Sequence, residues 1–161
     1  MRSLAPRDAL ALYLSAPAHA GVYCLEASRA AALLEAGGEA ANGAAAGPDR
    51  RRLATPPCWS REALLDGLAE SLEFPDHFGR NWDAAWDCLT ELEWGAGRAR
   101  VVVVPAAPVD EAAMAAFLEL MRDAAEHWAT RGHALVTLLL REGEPPGWAL
   151  EVPDLPREAT G

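Results

Sequence analysis

Two continuous apolar runs, Val101-Val102-Val103-Val104 and Leu135 to Leu140 (LVTLLL), flank a stretch in which apolar residues recur every three or four positions. Short unbroken apolar runs mark strands covered on both faces, as in parallel sheets. The intervening pattern predicts one helix from Asp110 to Thr130, closed at Gly132. Strand, helix and strand in this order predict a parallel pair joined by a right-handed crossover.

Upstream, Ser60 precedes a helical spacing of Leu64, Leu65, Leu68 and Leu72, so it is the expected N-cap of a helix. Pro75 and Gly79 then predict a turn, and Asn81 the cap of the next helix. Arg50 to Thr55 reads as a further strand ended by Pro56-Pro57, although three arginines make its propensity poor. Nearer the start, Gly21 to Leu25 is a compact β-type run, and Ser28 is the expected cap of a helix Arg29–Ala36 closed by Gly37-Gly38. Pro6 to Ala16 has the spacing of a short helix. Residues 37–48 mix Gly with Ala as a flexible linker does and lack the G-K-[ST] ending of a phosphate loop. After Arg141 four prolines predict an extended, loosely held tail. The expected architecture is α/β: a small parallel sheet of three core strands plus an N-terminal strand, packed with helices. It divides into an extension (1–48), a core (49–141) and a tail (142–161).

Composition narrows the function. At 161 residues the chain suffices for one core without disulfide or metal staples. Cys24, Cys58 and Cys88 form no C-x-x-C pair and read as reduced thiols in a cytoplasm. The four histidines, His19, His77, His127 and His133, show no ligand spacing, and no metal or cofactor is implied. The net charge of −10 repels phosphate backbones and anionic membranes and attracts basic partners. No apolar run reaches the length of a membrane span; Ala9 to Ala20 imitates a signal peptide, but Asp8 and Pro17 interrupt it.

Residues 74–92, FPDHFGRNWDAAWDCLTEL, sort into faces on a helix starting at Asn81. With Asp83 at zero and about 100° per residue, Asp87 falls near about 40°, Glu91 near about 80° and Thr90 near about −20°. Arg80, if helical, would join them near about 60°. Trp82, Ala85, Leu89 and Leu92 lie opposite, and Trp86 sits at the border. Like charges spaced four apart cost a helix a few tenths of a kcal/mol per pair, so this stacking does not serve helix stability. A solvated face on an acidic protein also accounts for it, and spacing does not decide between the two.

Phe78-Gly79, Asn81, Asp83 and Trp86-Asp87-Cys88-Leu89-Thr90 resemble the inhibitory turn and helix of the barstar family, intracellular inhibitors of the ribonuclease barnase. The string N-x-D-x-x-W-D-C-L-T is highly specific, and a weaker resemblance extends from about Arg51 to Leu140. It implies an inhibitor with no catalytic residues, a monomer when free, whose partner is a basic ribonuclease. Asp87 would enter the enzyme's cationic cleft, with Asp83, Asn81, Gly79 and Thr90 at neighbouring contacts. Trp86, beside Asp87, is either a border residue of the core or an anchor for the partner. Asp123 stands where the family places a glutamate contact, His77 where it has a stacking tyrosine, and Leu92 where it has a tryptophan. These departures imply a cognate enzyme other than barnase.

Two other readings bear on the same residues. Neighbouring carboxylates serve hydrolases as acid and base, but Asp83 and Asp87 come without a nucleophile or pocket histidine signature. An acidic adaptor of similar fold that binds a different basic toxin or nucleic-acid enzyme is the stronger alternative, and competition with an RNA substrate discriminates it.

Overall fold

The computed structural model describes residues 14, 16–31, 49–94, 99–143, 147 and 152–155. Four parallel strands, β1 (Gly21–Glu26), β2 (Asp49–Arg52), β3 (Ala99–Val104) and β4 (Ala134–Arg141), form one sheet in the order β1-β4-β3-β2. Every residue of the central β3, and all of β4 except Arg141, is buried, which is why their apolar runs are unbroken. Val102, Val104, Leu135 and Leu139 face one side with Val22 and Cys24; Val101, Val103, Val136 and Leu138 face the other with Leu25. The expected sheet of three strands plus an N-terminal one is the sheet observed, with β1 added on the outer side of β4.

Three helices cover the first face. They are α2 (Arg61–Ser71), α3 (Trp82–Thr90) and α4 (Glu111–Ala129), α1 being the short N-terminal Ala27–Ala30. Each of the three begins where a side chain accepts from its first-turn amides: Ser60 Oγ from Ala63 at 3.2 Å, Asn81 Oδ1 from Ala84 at 2.7 Å, and Asp110 Oδ1 from Ala112 and Ala113 at 3.1 and 3.3 Å. Gly132, at φ 83°, turns the chain after α4 towards β4. Leu64, Leu65 and Leu68 of α2, Ala85 and Leu89 of α3, and Met114, Phe117 and Met121 of α4 fill the layer between helices and sheet.

Several boundaries differ from the sequence reading. β2 starts at Asp49 and stops at Arg52 rather than running to Thr55. Only the Leu53 amide extends the ladder, to Val103 O at 3.0 Å, before the chain leaves to bury Trp59. The indole of Trp59 donates to Pro105 O at 2.7 Å. Arg51 of β2 is accommodated because an edge strand gives it partners: it binds Asp49, Glu73 and Ser71 O, while Arg100 of β3 also reaches Asp49. α1 begins at Ala27 with Glu26 as its uncapped N-cap, so Ser28 is not the cap; its hydroxyl donates to Glu26 instead. Residues 32–36 of the expected helix, the 37–48 linker and nearly all of the Pro6–Ala16 segment lie outside the described residues.

The tail departs most. At 152–155 it runs beside β1, with the Cys24 amide donating to Pro153 O at 2.8 Å and the Leu155 amide to Cys24 O at 2.9 Å. An edge strand has unpaired amides and carbonyls, and this segment occupies them. Val152 and Leu155 are buried on opposite faces of the sheet, and Leu155 joins Leu14 and Ala30 over the second face. Among the described residues no helix is long and apolar enough to cross a membrane.

Candidate functional site

The acidic helix is held from both ends. Pro75 to Phe78 forms a turn closed by the Phe78 amide on Pro75 O at 2.9 Å, and Phe74 and Phe78 pack edge to face at 5.1 Å, both against the core. His77 is left exposed on this turn. Gly79 sits against the cap, 3.4 Å from Ala84 Cβ and Asn81 Nδ2 as measured from where its Cβ would be, and Asn81 Nδ2 donates to Gly79 O at 3.3 Å. At the other end the buried Trp128 of α4 donates its indole N–H to Leu89 O at 2.7 Å, satisfying one of the carbonyls a helix leaves without an internal partner.

Rotation about the α3 axis is thereby fixed. Ala85 and Leu89 are fully buried, Trp82 and Leu92 half-buried, and Asp83, Asp87 and Glu91 exposed, as the helical wheel predicts. Among the described residues neither Asp83 nor Asp87 has an ion-pair partner. Thr90 is half-buried and its hydroxyl donates to Asp87 O at 3.0 Å. Arg80 is the exception to the wheel. It has φ 52° and precedes the helix, so it is a left-handed turn residue rather than a member of the acidic face. Its guanidinium meets Asp66 of α2 at 3.0 Å, and its carbonyl accepts from Arg61 at 3.2 Å.

α4 contributes a second stripe. The His127 ring meets Trp86 edge to face at 5.8 Å, joining the border of α3 to α4. Asp123 lies one helical turn before His127, exposed and, among the described residues, without an ion-pair partner. Burial, and secondarily the charge of Arg131, pushes the His127 imidazole below its ordinary range. Sequence spacing gave no signal for His127 because the contact is made between helices. Behind it, Trp128, Trp94 and His133 form an aromatic cluster, Trp94 stacking on His133 at 4.5 Å with the Arg100 guanidinium 5.1 Å from its ring.

The structure thus places Asp83, Asp87 and Thr90 on one helix, with Asn81, Gly79 and His77 leading into it. Trp86 connects that helix to α4, which carries Asp123. Cys88 is half-buried on another side of α3; burial first, then Glu91 and Asp87, raises its pKa, which disfavours the reactive thiolate. A cavity of about 660 Å³ opens at the ends of β3 and β4 beside Glu111 and Arg141, and none of the residues that line it belongs to α3. Among the described residues no group of three His, Cys, Asp or Glu is placed to hold a metal ion. A smaller cavity, of about 390 Å³, lies beside α3 and is lined by Cys88 and Glu91 but by neither Asp83 nor Asp87. The exposed acidic surface that those two aspartates form on a braced helix is suited to pairing with cations of a protein partner.

Comparison with known proteins gives this surface a context. The family described as Barstar (barnase inhibitor) matches residues 50–139, more than half of the chain, from β2 to within β4. A stretch of 29 residues is 62% identical to the Bacillus subtilis (strain 168) protein named "Putative ribonuclease inhibitor YrdF". That stretch covers 18% of this chain and 32% of the relative.

Proposed function

Because this chain belongs to the Barstar (barnase inhibitor) family, we propose that it is a ribonuclease inhibitor that blocks a small enzyme's cationic cleft with the acidic face of α3. The observation that carries this reading is the pair Asp83 and Asp87, exposed and, among the described residues, without ion-pair partners, on a helix anchored by its cap and by Trp128. A ribonuclease must be electropositive where it binds phosphate. Carboxylates presented there occupy the cations without offering a scissile bond, so inhibition needs occupancy and no chemistry. Asp87 enters the cleft, Asp83 and Thr90 flank it, and Trp86 supplies an apolar anchor. Asp123 makes a second acidic contact from α4, and His77 reaches the partner from the turn before α3. In this reading the protein is an immunity factor, keeping the producing cell safe from a ribonuclease toxin.

The rigidity matters because ordering side chains or loops on association costs about 0.5–1.5 kcal/mol for each mobile side chain. A preformed face avoids part of that cost. The test is titration of the purified protein, wild type and Asp87→Ala, against a panel of small microbial ribonucleases that includes barnase. Inhibition competitive with RNA, weakened at least about 30-fold by Asp87→Ala, is the expected result, since a cation left buried without its partner costs about 2 kcal/mol or more. Inhibition of no enzyme in the panel would favour the adaptor reading. An Asp87→Ala loss of only a few-fold would remove Asp87 from the centre of the interface.

A further inference from the structure

Between Glu73 and Trp94 the chain carries six carboxylates, and Arg80 is the sole Arg or Lys in the segment. Its place is fixed by the backbone. It stands in the left-handed region, at φ 52°, between Gly79 and the capping Asn81, and Arg61 of α2 holds its carbonyl. The left-handed region is unfavourable for a residue with a Cβ, so the turn keeps this geometry only because its surroundings impose it. The side chain is 72% exposed at the N-terminal edge of the acidic face.

A cation in this position opposes the rest of the surface. If the partner were uniformly basic around its cleft, docking would bring Arg80 against like charge and weaken the complex. Asp66 does not remove the problem. It meets one guanidinium nitrogen, is itself 46% exposed, and forms a solvent-screened surface pair that contributes little, so the fork is free to take a better acceptor.

Building on the inhibitor reading, we propose that Arg80 is a specificity-determining residue, selecting a ribonuclease that carries an Asp or Glu on the rim of its basic cleft. The planar guanidinium pairs with that carboxylate through the donors that Asp66 leaves open, while Asp83 and Asp87 meet the cations inside the cleft. Enzymes that are basic at the rim are disfavoured by the same residue, so one side chain supplies attraction to the cognate and repulsion of others.

The experiment measures inhibition constants of the wild type and of Arg80→Lys, Arg80→Asn and Arg80→Glu proteins against the same ribonuclease panel, barnase included, at fixed ionic strength. Asn tolerates the left-handed backbone without charge, and thermal melting confirms that each variant is folded. For the enzyme inhibited most strongly, Arg80→Lys should lose less than about ten-fold and Arg80→Asn about 30-fold or more, the loss expected when a paired interfacial charge is removed. Arg80→Glu should lose more, and replacing the enzyme's rim carboxylate by Lys should restore its inhibition. Variants of Arg80 that inhibit every susceptible enzyme as well as the wild type does would overturn the proposal while leaving the inhibitor reading intact. Absence of inhibition by the wild type would overturn both.

Discussion

Trp128→Phe removes one hydrogen bond and part of one ring, and its cost follows from where they sit. The indole nitrogen is 2.7 Å from Leu89 O, and both residues are buried. Around the end of α3, Asp87 O accepts from the Thr90 hydroxyl and Cys88 O from the Glu91 amide, so Trp128 is the group that satisfies Leu89 O. Phenylalanine leaves that carbonyl buried and unpaired, at about 1–3 kcal/mol. The missing ring volume adds roughly 1 kcal/mol, because the aromatic neighbours Trp94 and His133 collapse only partly into the space. The expected loss is therefore about 2–4 kcal/mol, a large share of the 5–15 kcal/mol typical of a domain. Urea unfolding measures it as a fall in midpoint at unchanged slope. Hydrogen exchange should show the amides of α3 losing protection ahead of those of β4. A midpoint shift worth less than about 0.5 kcal/mol, or equal loosening throughout the molecule, would refute the idea that this bond anchors α3.

Three further outcomes are expected. Asn81→Ala should cost about 1 kcal/mol and lower Tm by a few degrees, whereas Asn81→Ser, which keeps an N-cap acceptor, should cost little; equal losses for the two would mean that the bond to Ala84 does not act as a cap. Deleting residues 1–48 uncovers the edge of β4 along its pairing with β1 and strips Leu14, Leu25 and Ala30 from the second face, so the remainder should lack a cooperative thermal transition by circular dichroism; a sharp transition would make the extension dispensable for folding. Burial holds the His127 imidazole below its ordinary 6.5, so around that pH the unfolded chain binds more protons than the folded one; the contribution to stability is complete above about pH 6.5 and is lost as pH falls through the folded value. Melting curves at pH 7.5 and 5.5 should accordingly show a smaller decline for His127→Gln than for the wild type, and parallel declines would exclude His127 as a source.

The sheet was legible because β3 and β4 are buried on both faces and so leave no polar positions to interrupt their apolar runs. The three helix starts were legible because Ser60, Asn81 and Asp110 stand directly before helical spacings and cap them in fact. β2 was harder: Arg51 is explained by Asp49 and Glu73, and the Glu73 pairing is visible only once the chain has folded back. The wheel placed Asp83, Asp87 and Trp86 correctly but misplaced Arg80, because it extends α-helical geometry through a residue whose φ is positive. Nothing local announces that Trp86 meets His127, or that Trp128 bonds Leu89 across 39 positions.

The two faces of the sheet divide the work. The acidic helix, its α4 neighbour and the turn that carries His77 and Arg80 all belong to the layer over Val102, Val104 and Leu139. Leu14, Ala30 and Leu155 close the opposite side over Val101, Val103, Val136 and Leu138, and residues 152–155 line the outer edge of β1. A segment added at that edge lengthens the sheet and seals its second face without covering α3. Among the described residues, the additions before β2 and after β4 therefore extend the sheet and cover its second face while α3 remains exposed, the arrangement that the proposed inhibitor reading requires if docking is not to displace part of the fold.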